Sequence, residues 1–86
     1  MKLCILYHTN DENTRSVEEF VSNFKYYSDH SVDLISLETK EGASMAQLYD
    51  IVDYPAILVI RDDGQLSHFW QGKGFPQIDE ILGYFS

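Results

Sequence analysis

The stretch YDIVDYPAILVIRDDGQL, residues 49–66, decides the fold. At its centre AILVI, residues 56–60, is an unbroken apolar run of the length and β-branched character of a strand covered on both faces. Asp63-Gly64 follows, the strongest local hairpin signal in the chain, so the strand must return as LSHFWQ, residues 66–71. Ahead of the run stands Pro55, one of two prolines. Proline cannot donate a ladder hydrogen bond, and the first position of a strand is where that loss costs least.

Toward the N-terminus, KLCILYH (residues 2–8) is apolar on both faces and reads as a central strand. In TNDENTRSVEEFVSNFKYY the residues Val17, Phe20, Val21 and Phe24 fall at helical spacing, which predicts a helix from about Glu12 to Tyr27. Thr9 with Glu12 three residues later fits a capping box, and Asp11 and Glu12 suit the positive end of that helix. VDLISLET (residues 32–39) alternates as a second strand, KEG reads as a turn, and ASMAQLYDIV (residues 43–52) as a short helix with Met45, Leu48, Tyr49 and Val52 on its apolar face. Past the hairpin, Gly72 and Gly74 end the last strand and Pro76 takes a first helical position. Ile78, Ile81, Leu82 and Phe85 give the closing helix its stripe.

The order is βαβαββα, an α/β chain. Its first two strands, joined by a full helix, should pair in parallel with a right-handed crossover, and its last two as a hairpin. A four-stranded mixed sheet with helices on both faces follows, in one domain over residues 1–86.

Eighty-six residues with a hydrophobic fraction of 44% suffice for a single core. Fourteen acids against six bases give a net charge of −8. That balance argues against nucleic acid or an anionic membrane as partner, since either requires a basic patch. One cysteine, Cys4, allows no intramolecular disulfide and no all-cysteine metal site. No apolar window reaches the length of a membrane span or of a signal-peptide core, and a cytoplasmic protein is expected. His8, His30 and His68 are too scattered for a metal spacing, so neither metal nor cofactor is expected.

With proline at the start of its third strand, this layout resembles the thioredoxin and glutaredoxin superfamily. The likeness is most specific from Leu48 to Leu82: a tyrosine-ended helix, a proline, an apolar strand and a Gly-centred turn, then WQGKGFPQIDEILGYF with glycine, short linker and terminal helix. The resemblance implies a cis Tyr54–Pro55 bond at the sheet's edge, facing the start of the first helix. It also implies a groove in which the backbone before the proline pairs with an extended segment. Its residues here are Tyr7, His8, Thr9, Asn10, Asp11, Glu12, Asp53, Tyr54, Pro55, Gly72, Lys73, Gly74 and Phe75.

The departure is as specific. The superfamily's Cys-x-x-Cys, or lone cysteine, falls at residues 11–14 or 12–15, within NDENTR, and neither register contains a cysteine. Dithiol exchange then lacks its nucleophile. Cys4 lies inside the first strand, where a thiol behaves as a small hydrophobe. Glutathione is not expected, because Arg15 and Lys73 stand among many acids. Trp70, Phe69 and Phe75 read as packing residues. The resemblance thus implies a redox-inactive, non-enzymatic module that binds a protein or extended peptide, its oligomeric state open. The alternative is a thiol-disulfide oxidoreductase, serving cell redox homeostasis through Cys4 or a partner's thiol. The circadian-clock branch of the superfamily also lacks the cysteines, but the Asp63-Gly64 hairpin looks more like ordinary thioredoxin.

Overall fold

The computed structural model describes residues 1–9, 12, 14–72 and 74–85. Their elements run β1 (Lys2–Tyr7), α1 (Thr14–Tyr27), β2 (Val32–Ser36), α2 (Lys40–Leu48), β3 (Ala56–Ile60), β4 (Leu66–Gln71) and α3 (Ile78–Leu82). The sheet order is β2-β1-β3-β4. β1 pairs with β2 in parallel, Tyr7 opposite Ser36, and with β3 antiparallel, Leu6 opposite Ala56.

The two inner strands are apolar throughout because each feeds two cores. Side chains alternate across a strand. Leu3, Ile5, Ile57 and Val59 therefore meet Val17, Phe20, Val21 and Phe24 of α1 and Ile81 of α3 on one face. Cys4, Leu6, Ala56, Leu58 and Ile60 meet Ala46 of α2 and Ile51 on the other. Burying each large apolar side chain contributes about 1.5–3 kcal/mol. At the hairpin Gly64 adopts φ +88°, its amide donating to Arg61 O at 2.9 Å, and the Tyr49 hydroxyl donates to its carbonyl at 3.1 Å.

Several boundaries differ from the sequence reading. α1 begins at Thr14, five residues past Thr9, and carries no acid in its first turn, so the expected Thr9–Glu12 capping box is absent from the helix end. The Thr14 hydroxyl instead reaches back to His8 O at 3.2 Å. β2 stops at Ser36 because Thr39 is the N-cap of α2, its hydroxyl accepting from the Gly42 amide at 3.0 Å. KEG is thus the first turn of α2, not a connecting turn. The most buried residues of α2 are Gly42 and Ala46; Met45 and the C-cap Tyr49 pack on the same core as expected, while Leu48 (71% exposed) and Val52 (81%) point outward. Gly42 is required there: a Cβ would lie 2.1 Å from Ser36 O. Pro76 stands two residues before α3, whose N-cap is Gln77. Pro55 opens an interior strand rather than lying on a sheet edge, and the Tyr54–Pro55 peptide is cis. No helix among the described residues is long and apolar enough to cross a membrane.

Candidate functional site

Three chain ends converge because β1 lies between β2 and β3. The residues that leave β1 after Tyr7, those that follow Ser36 of β2, and those that enter β3 at Ala56 are therefore neighbours. Leu37 N–H bonded to Tyr7 O at 2.9 Å extends the parallel register past the strand ends. His8 emerges between the other two segments. Its Nδ1 is 3.5 Å from Glu38 Oε1, and its ring meets the Tyr54 ring edge-on, centroids 5.2 Å apart.

Each partner of His8 is held from behind. Ser36 Oγ donates to Glu38 Oε2 at 2.8 Å and accepts from the Glu38 amide at 3.2 Å. The Ser36 hydroxyl, then the Glu38 and Thr9 amides and His8, hold the Glu38 carboxyl below its ordinary value of 4.5. The Tyr54 hydroxyl donates to Ile51 O at 3.1 Å, fixing the ring beside Pro55. Before the proline, side chains occupy the backbone donors. Gln71 Oε1 accepts from Val52 N–H at 2.9 Å and Asp53 N–H at 3.2 Å, and Asp53 Oδ1 accepts from Tyr54 N–H at 2.9 Å. Gly72 joins this loop, its amide donating to Pro55 O at 3.1 Å. At φ +95°, with a Cβ position only 2.7 Å from Asp53 Oδ2, it suits glycine alone.

His8, Asp53, Tyr54, Pro55 and Gly72 thus come together, with Thr9 alongside through its bond to Glu38. Tyr7 turns inward and packs against the α1/α3 core. Phe75 is committed to packing: its ring stacks on Phe20 with centroids 4.7 Å apart. Glu12 and Gly74 are exposed, and Gly74 has φ +90°. Asn10, Asp11 and Lys73 lie outside the described residues. Sequence reasoning missed Glu38, Ser36 and Gln71. Their polar character was visible, but the parallel register and hairpin that deliver them are long-range.

Cys4 lies elsewhere. Strand alternation turns its sulfur into the α2-side core, whereas α1 covers the opposite face. It is 1% exposed, and burial pushes the thiol up to about 11 from an ordinary 9.0. A thiol so placed supplies no thiolate near neutral pH. Among the described residues no three of His, Cys, Asp or Glu are grouped to hold a metal ion.

No family model matches the chain. Over 79 residues it is 32% identical to protein p74 of Choristoneura fumiferana nuclear polyhedrosis virus; the match takes in 91% of this chain and 11% of that protein. The chain therefore spans about a tenth of the length of the curated relative it matches. Its backbone is similar to thioredoxin 1 from the thermophilic eubacterium Thermosipho africanus TCF52B, with TM-score 0.70, 12% identity, and coverage of 99% of this chain and 90% of that one. A structure described as a malarial protein matches with TM-score 0.61, 11% identity, and coverage of 99% and 94%. The fold is thioredoxin-like, and its single cysteine belongs to no Cys-x-x-Cys motif.

Proposed function

We propose that this chain is a redox-inactive thioredoxin-like module that binds an extended protein segment beside Tyr54 and Pro55. The observation that carries the reading is the position of the sulfur. The chain's one thiol is buried on the α2 side of the sheet, and residues 11–15 contain no other. What the convergent strand ends offer instead is a surface: the His8 and Tyr54 rings, the Glu38 carboxylate beside them, and the loop before Pro55.

Such a surface recognises a partner by main-chain pairing plus side-chain complementarity. To pair at Tyr54 N–H, an incoming carbonyl replaces Asp53 Oδ1. The released carboxylate, together with Glu38, then favours a basic residue on the partner. A similar segment within a far longer viral protein accords with a module rather than a free-standing enzyme. The oxidoreductase alternative is disfavoured by the burial of Cys4 and by the thiol's raised pKa.

The test is affinity capture on the immobilised chain, with and without reductant, against a Tyr54→Ala/Asp53→Lys variant. A protein retained in reductant by the wild type alone supports the reading. Equal retention by the variant sinks the groove. Release by reductant restores a thiol mechanism through Cys4.

A further inference from the structure

A concavity of the molecule lies away from Pro55. Phe20, Asn23 and Tyr27 of α1 face residues 76–79 across a groove of about 480 Å³. Phe20, Pro76 and Ile78 supply apolar lining; Asn23, Gln77 and Asp79 supply polar walls. A more open, polar bay of about 510 Å³ along α1, bordered by Arg15, Glu18, Glu19 and Ser22, shares Asn23 and so continues the furrow. Glu19, Asn23 and Tyr27, four residues apart in turn, form one stripe along it. At its end Tyr27 is 67% exposed and Tyr26 82%, the rings meeting edge-on at 4.9 Å.

The charges along the furrow have a sign. Glu18, Glu19 and Asp79 border it against one cation, Arg15, whose Nε is 3.5 Å from Glu19. Lys25 projects about 160° around the helix from Asn23, on the far flank. Exposed tyrosines beside an apolar floor are the composition of a protein-binding hot spot, and their faces attract guanidinium and ammonium groups.

We propose that this furrow is a second docking surface, separate from the Tyr54–Pro55 site, for a basic protein segment that carries one bulky apolar side chain. The apolar group fills the space between Phe20, Pro76 and Ile78. Flanking arginines or lysines meet Glu18, Glu19, Asp79 and the exposed tyrosine faces. A second copy of this chain is a poor occupant, since each carries a net charge of −8.

The test is selection of random dodecapeptides displayed on phage against the immobilised full chain, followed by affinity measurement on synthetic winners. The expected winners carry at least two basic residues around one large apolar residue, and their binding weakens with salt. Tyr27→Ala and Asp79→Lys each weaken them by about tenfold or more, while Tyr54→Ala leaves them unchanged. Both substituted residues are exposed, and circular dichroism checks that the variants fold. Amide NMR shifts should centre on Asn23, Gln77 and Asp79. Winners without basic residues, no winners at all, or shifts centred on His8 and Tyr54 would overturn the proposal. Loss of the Tyr54 site leaves it standing.

Discussion

His8 Nδ1 stands 3.5 Å from Glu38 Oε1, although one residue leaves β1 and the other follows β2. Parallel pairing brings them together, Tyr7 opposite Ser36 one step earlier. Both side chains are about half exposed, so the pair adds little to stability. Its effect is positional: it fixes the imidazole whose ring rests on Tyr54.

The Glu38 carboxyl should titrate below 4.5, because the Ser36 hydroxyl and backbone amides favour its charged form. A depressed carboxylate contributes stability that is present above its unfolded value and lost as pH falls through the folded one. Side-chain carbonyl NMR over an acid titration measures this directly. Ser36→Ala should move the midpoint back toward 4.5, and a wild-type midpoint at or above 4.5 contradicts the geometry.

Cys4 should resist alkylation in the native protein at pH 8 and react rapidly once denatured, since its thiol is buried and titrates at about 11. The sign for stability follows from a raised pKa: the contribution is complete below 9.0 and disappears as pH rises through about 11. Wild type should therefore lose on the order of 2–3 kcal/mol more than Cys4→Ala across that interval. Parallel denaturant curves for the two proteins at pH 8 and pH 11 would reveal whether the gap closes as expected.

Gly42→Ala separates two opposed forces. Helix propensity alone favours alanine by about 1 kcal/mol in a helix interior. The Cβ, however, would fall 2.1 Å from Ser36 O, a backbone atom that cannot swing away. Overpacking of this kind costs about 1–3 kcal/mol, and the clash should win. Urea denaturation decides it: a stabilised Gly42→Ala protein would mean that α2 is free to shift off β2.

Phe24→Ala should destabilise by about 3–5 kcal/mol, because its ring is fully buried between α1 and the sheet. Tyr26→Ala, one turn-end away but 82% exposed, should change stability by no more than about 0.5 kcal/mol. Equal losses in the two variants, measured by thermal unfolding, would contradict the assigned face of the helix.

The parts legible from sequence were those in which one strong signal had one cause. β3 was readable because both of its faces are covered, leaving no polar residue to interrupt the run. The α1 stripe was readable because four large residues repeat on one face. α2 misled in part: Met45 and Tyr49 do pack on the core, but its most buried positions are Gly42 and Ala46, which carry almost no hydrophobic signal, while the conspicuous Leu48 and Val52 face outward. Pro55 and Tyr54 were found through their neighbours in the chain. Glu38 and Gln71 were not, since each reaches the site through pairing between segments distant in sequence.

The parity of β1 has a practical corollary. With the native sulfur sealed between β1 and α2, the folded protein behaves toward thiol reagents as though it were cysteine-free. One new cysteine on an exposed position such as Ser22 or Val52 then takes a single fluorophore or spin label at a known place, with Cys4 left intact. Both surfaces discussed above can be monitored by such a probe in an otherwise unaltered core.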